Sequence, residues 1–166
     1  MIVATRIPKF RRFNAKAGVI ASSVMVVSAV LWPASATADP VEDILSQART
    51  FCASFENGEF DAGDAVSEVD LDGEAPLDLI VDESQFSCSS MASAFCGTGG
   101  CNVHAIVGDR TWSFQAEGWR MIDWNGFPVL LIARDGGWCG GAGAQICFEA
   151  VNWSFGDMLT VMPPAQ

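Results

Sequence analysis

Six cysteines, Cys52, Cys88, Cys96, Cys101, Cys139 and Cys147, fall in one stretch of the chain, and no other cysteine precedes or follows them. An even set of this kind in an exported domain forms disulfides, and each bridge closes a loop that any fold must accommodate. Six cysteines allow fifteen connectivities, so composition alone leaves the pairing open. Local chain geometry favours one of them. Cys96-Gly-Thr-Gly-Gly-Cys101 and Cys139-Gly-Gly-Ala-Gly-Ala-Gln-Ile-Cys147 are glycine-rich and flexible enough to close on themselves, which leaves Cys52 for Cys88. The competing reading is a zinc site using Cys96, Cys101 and His104. An oxidising compartment favours the bridges.

The compartment is itself written in the chain. The first 38 residues carry Arg6, Lys9, Arg11, Arg12 and Lys16, then an apolar run from Ala17 to Leu31, then Ala36-Thr37-Ala38, with no acidic residue. This is the pattern of a secretory signal peptide, with cleavage after Ala38 and a mature chain starting at Asp39. The apolar run is shorter than the roughly 20 residues that span a bilayer, and Pro33 follows it. No later segment is long or apolar enough to span, so stable membrane insertion after cleavage is not expected. The expected location is the periplasm or the cell exterior.

Five of the nine basic residues lie in that leader, whereas all twenty acidic residues lie beyond it, so residues 39–166 carry a formal charge of −16. An anionic surface of this strength repels nucleic-acid phosphates and anionic lipid, which removes both from the expected partners. No Lys or Arg stands between Arg49 and Arg110, while Glu56, Glu59, Asp61, Asp64, Glu68, Asp70, Asp72, Glu74, Asp78, Asp82, Glu83 and Asp109 accumulate there.

Asp39-Pro40-Val41-Glu42 reads as an N-cap, a proline at the first helical position and an acid three residues after the cap. Val41, Ile44, Leu45, Ala48, Phe51, Cys52 and Phe55 then recur at spacings of three and four, the stripe of a helix over about residues 39–56. Asn57-Gly58 stops it. Strands are expected at Ala65–Val69, Leu77–Val81, Val103–Val107, Thr111–Ala116, Trp119–Trp124, Val129–Ala133, Ile146–Trp153 and Met158–Met162, with a short helical turn at Ser89–Phe95. Gly108-Asp109, Asn125-Gly126 and Ser154-Phe155-Gly156-Asp157 supply hairpin turns. One helix followed by hairpins predicts an α+β fold: a single domain over 39–166, with the helix on an antiparallel sheet or a small, partly closed barrel.

Within the acidic stretch, Asp70-Leu71-Asp72-Gly73-Glu74-Ala75-Pro76-Leu77-Asp78 places side-chain oxygens at positions 1, 3, 5 and 9 of one loop and a backbone carbonyl, that of Pro76, at position 7. Ca²⁺ takes six to eight oxygen ligands at about 2.3–2.6 Å, and alternate residues of a tight turn can converge on it. Asp70, Asp72, Glu74, Pro76 and Asp78 are therefore the expected ligand set. Position 12 of an EF-hand would be Val81, which has no side-chain oxygen, so a helix-flanked EF-hand is not expected. The loop resembles those of FG-GAP and VCBS repeats, Asp-x-Asp/Asn-Gly-Asp-Gly-x-x-Asp before an apolar strand. Here Glu74 replaces Asp and Ala75 replaces Gly. The resemblance covers about a dozen residues and implies a calcium loop entering a strand. A single copy in a chain of this length is not a propeller. The chain also resembles small exported bacterial proteins of unassigned function that combine one such loop with Phe-Cys-Gly-x-Gly-Gly-Cys, here Phe95 to Cys101.

His104 is the only histidine, so any Ser-His-Asp or Cys-His mechanism must use it. Alternation sets it opposite Val103, Ala105 and Val107. No Gly-x-Ser-x-Gly, His-Glu-x-x-His or phosphate-binding glycine loop is present. The acidic residues supply many pairs for glycosidase chemistry and no means of choosing among them. Trp119 and Trp124 lie on opposite faces of one strand, so a complete tryptophan platform is not expected, and Trp138 is the residue expected to be exposed. The resulting expectation is a non-catalytic, calcium-stabilised, disulfide-bridged domain that binds a protein or glycan or gives structural support. The alternatives are a small exported hydrolase and a periplasmic inhibitor of a cell-wall enzyme.

Overall fold

The computed structural model describes residues 39–161, and the leader expected at 1–38 and Met162 of the last expected strand lie outside them. Helix α1 spans Pro40–Ser54. The Asp39 side chain accepts the Val41 N–H at 3.0 Å, and Pro40 fills the first turn, where no N–H is required. Glu56 and Asn57 follow with φ of 50° and 55°, which turns the chain out of the helix before Gly58.

Eleven strands follow: β1 Phe60–Asp61, β2 Val66–Val69, β3 Asp78–Asp82, β4 Ser87–Cys88, β5 Cys96–Gly97, β6 Gly100–Val107, β7 Arg110–Ala116, β8 Gly118–Trp124, β9 Phe127–Arg134, β10 Cys147–Ser154 and β11 Asp157–Val161. All pairings are antiparallel. One sheet runs β2-β3-β6, with β7 on the far side of β6 and β5 forming a short hairpin with it. A second runs β11-β10-β9-β8, and β1 pairs with β4 apart from both. Asn125 and Gly126, both at positive φ, make the tight β8–β9 turn.

Successive residues of β3 and β6 feed different cores. Ile80, Val103, Ala105 and Val107 join Leu130, Ile132 and Val151 of the second sheet. Val81 and Ile106 join Ala48, Ala65 and Phe86, with Val41, Ile44 and Leu45 of α1 packed against them. The domain is thus layered: helix, first sheet, second sheet. The expectation of a helix on an antiparallel sheet holds. The partly closed barrel is corrected, because the sheets stack face to face and no pairing joins their edges among the described residues.

The bridges are Cys52–Cys88, Cys96–Cys101 and Cys139–Cys147, with no free cysteine. Cys96 and Cys101 are thereby committed to sulfur, so the zinc reading with His104 falls. The short helical turn expected at Ser89–Phe95 is replaced by two isolated turns, closed by the Met91 N–H to the Cys88 carbonyl and the Ala94 N–H to the Met91 carbonyl. The 3₁₀ turns at Glu83–Gln85 and Gly136–Cys139 and the two-residue strands β1, β4 and β5 have no counterpart in the periodicity.

Candidate functional site

The acidic loop connects β2 to β3, and its last residue, Asp78, opens β3 with only 7% of its surface exposed. One carboxylate oxygen from each of Asp70, Asp72 and Asp78 lies within 4.8 Å of the others. Two oxygens each about 2.4 Å from a common ion are at most about 4.8 Å apart, so this spacing fits Ca²⁺. The loop's own amides occupy one oxygen of each carboxylate: Gly73 donates to Asp70 at 2.6 Å, Glu74 to Asp72 at 2.8 Å, and Leu71 and Asp72 to Asp78 Oδ2 at 2.9 and 3.3 Å. Glu74 lies outside the carboxylate group and is exposed, as is Pro76, which follows a cis peptide bond. Burial pushes the Asp78 carboxyl above the usual carboxylate range, opposed by the Leu71 N–H and reinforced by the charge of Asp72 and then Asp70.

His104 sits on the helix-facing side of β6 and is 9% exposed. Its Nδ1 lies 2.8 Å from Ser113 Oγ, its direct cross-strand neighbour, and its Nε2 lies 2.8 Å from Glu83 Oε1. Asn102 donates to the other Glu83 oxygen at 3.0 Å. A cavity of about 520 Å³ adjoins this chain of groups, lined by Asp43, Gln47, Asp109, Thr111 and Ser113. The arrangement supplies a base beside a hydroxyl. Asp43 and Asp109 in the same cavity oppose the build-up of negative charge that acyl transfer requires.

The outer face of the second sheet is apolar. Leu130 and Ile132 of β9 point inward at 1% and 0% exposure, so Phe127, Val129 and Leu131 point outward. The register sets Ile122 and Trp124 of β8 beside Val129 and Phe127, and Ala150 of β10 beside Leu131. Trp124, Phe127 and Phe148 are 66%, 70% and 63% exposed. Arg120 is the charged residue that alternation places among them. Trp138 is half exposed, as expected, whereas Trp112, Trp119 and Trp153 pack against the inter-sheet core. Alternation alone did not distinguish the exposed side of this sheet; the near-continuous apolar run Pro128–Ala133 was its sequence signal.

Comparison of the chain with protein-family models, curated proteins and solved structures gives no match.

Proposed function

We propose that this chain is an exported, non-catalytic binding domain, braced by disulfides and by a calcium ion at Asp70, Asp72 and Asp78, which engages a protein through the outer face of β8–β11. The observation that carries this reading is the breadth of that face, apolar across neighbouring strands with its largest side chains exposed. Contiguous exposed apolar surface of this kind marks interaction sites. A glycan would need donors and acceptors for its hydroxyls, and the polar groups of this face are Arg120 and Asn152 with Ser154 and Asp157 at its β10–β11 end, so its aromatic centre suits a protein better. Three disulfides support an oxidising compartment, and no helix among the described residues is long and apolar enough to cross a membrane.

The face is tested by the double substitution Trp124→Ser/Phe127→Ser. Wild-type protein should bind an environment-sensitive dye such as anilinonaphthalene sulfonate in its folded state, and the variant should lose most of that fluorescence. Both side chains are exposed, so the melting temperature should move by less than about 2–3 °C. Unchanged dye binding would remove the face from the reading.

Calcium at a hundredfold excess over Kd should stabilise the domain by about 2.7 kcal/mol, a rise of roughly 10 °C for a domain of this size. Magnesium, which keeps a smaller octahedral shell and its waters, is the control for general screening of the −16 charge. Because the folded pKa of Asp78 is raised, its contribution to stability is fully present below the ordinary carboxylate value and is lost as pH rises through the folded pKa. Metal-free protein at neutral pH therefore carries the whole cost of that buried charge. Asp78→Asn keeps an acceptor for the Leu71 N–H, so it should raise the metal-free melting temperature at neutral pH and abolish the calcium response. Its advantage over wild type should shrink on acidification. Equal shifts with both ions, persisting in Asp78→Asn, would leave only an acidic turn.

A second reading, a small hydrolase, is favoured by the Ser113–His104–Glu83 chain alone. Labelling of Ser113 by a fluorophosphonate, lost in His104→Gln, would establish it.

A further inference from the structure

The four cations of residues 39–166 are unevenly committed. Arg49 pairs with Glu42, Arg110 with Asp157 and Arg134 with Glu149. Arg120 makes no ion pair among the described residues. With twenty acids against four cations, residues 39–166 carry a formal charge of −16, and three of the carboxylates have an Arg partner. Acids stand around the outer face of β8–β11. Glu117 immediately precedes β8 and is exposed, and Asp157, placed on the outer face of β11 by its pairing with Ser154, is exposed as well. Asp72 of the acidic loop lines the same cavity of about 520 Å³ as Trp124 and Phe127. An apolar centre with a charged border is the usual anatomy of a protein interface.

Size decides what can cover it. Four strands spaced about 4.8 Å apart, each about seven residues long at about 3.3 Å per residue, give a footprint of roughly 450 Å². A stable interface buries about 800 Å² on each partner. A partner that fills the face must therefore extend over the acidic border. A second copy of this chain would bring a second charge of −16 to that border, and an anionic lipid surface would be repelled in the same way.

Resting on the reading of this face as a protein-binding surface, we propose that its partner is a basic polypeptide surface, with an apolar centre that covers Trp124, Phe127 and Phe148 and with Lys or Arg around it facing Glu117 and Asp157 and drawn in by the −16 charge of residues 39–166. The aromatic side chains act as anchors, and the border sets the sign of the partner and speeds encounter.

The test uses three peptides of about 18 residues, five helical turns: an amphipathic Leu/Lys helix, the same pattern in Leu/Glu, and a Lys/Ser peptide without an apolar face. Tryptophan fluorescence and calorimetry follow binding to the oxidised protein. The Leu/Lys helix should bind tightest and weaken steeply between about 50 and 300 mM salt. Trp124→Ser/Phe127→Ser should weaken it about thirtyfold. Equal binding of the Leu/Glu helix, lost in the same variant, would overturn the basic partner while leaving the face. Equal binding of the Lys/Ser peptide, unaffected by the variant, would overturn the face as well and leave only bulk charge. Dimerisation at micromolar concentration, abolished by the variant, would replace the basic partner by a second copy.

Discussion

Replacing Arg134 with alanine is expected to lower stability by about 3–5 kcal/mol, roughly 10–20 °C in melting temperature for a domain of this size. Arg134 and Glu149 are 5% and 4% exposed and face the space between the sheets. Two guanidinium nitrogens donate to Glu149 Oε2, and a third donates to the Gln115 carbonyl of β7, so one side chain ties β9 and β10 to the other sheet. Its guanidinium also lies 4.5 Å from the Trp138 ring centre and 5.8 Å from that of Phe114. Removing it strands a carboxylate out of water with nothing to offset its charge. The pair as a whole is a different matter, because the desolvation of two ions cancels much of their attraction. Arg134→Met/Glu149→Leu should therefore recover to within about 2 kcal/mol of wild type, although each single variant is far worse. Urea unfolding of the three proteins measures this coupling. A loss under about 1 kcal/mol for Arg134→Ala would mean that water reaches the pair.

Removal of the Cys52–Cys88 bridge as Cys52→Ala/Cys88→Ala is expected to cost about 4 kcal/mol in a chain-entropy account. It closes the longest loop of the three, with a sequence separation of 36 against 8 and 5 for the others. The same account assigns the two short bridges about 2–3 kcal/mol each. Cys52 is fully buried on α1 and Cys88 lies on β4, so the bridge fastens the helix to the strand that pairs with β1. Gly58 packs against both sulfurs, and a Cβ there would stand 2.8 Å from each. Thermal unfolding of the three double-alanine variants should rank them by loop length. A Cys52→Ala/Cys88→Ala protein as stable as the variant lacking Cys96–Cys101 would show that loop entropy is not the governing factor.

The longer strands were legible because apolar residues in each are bounded by turn chemistry, Gly108-Asp109, Asn125-Gly126 and Phe155-Gly156, and α1 was legible because its cap and stripe are both local. What covers a strand is not local. Val103–Val107 and Pro128–Ala133 are near-continuous apolar runs of the sort found in strands buried on both faces. β6 meets that expectation because α1 lies across its second face, while β9 has only the first sheet beneath it. The inward and outward sets of His104 and Val103 followed from alternation, but its partners Glu83 and Ser113 stand 21 and 9 residues away and needed the register. Arg134 and Glu149 escaped notice for the same reason. In the acidic loop, spacing pointed to a convergence of carboxylates; the chain brings together Asp70, Asp72 and Asp78, while Glu74 remains at the surface.

Ile80 and Val81 on β3, and Ala105 and Ile106 on β6, are adjacent residues serving cores on opposite sides of one sheet. Neither core has a wall of its own that could outlast the other. Loosening the helix side exposes the backbone that also supports the inter-sheet side, so the two clusters form one cooperative unit. The amides of these four residues should then exchange with solvent only when the whole domain opens, and a single melting step is the expected result despite the three layers.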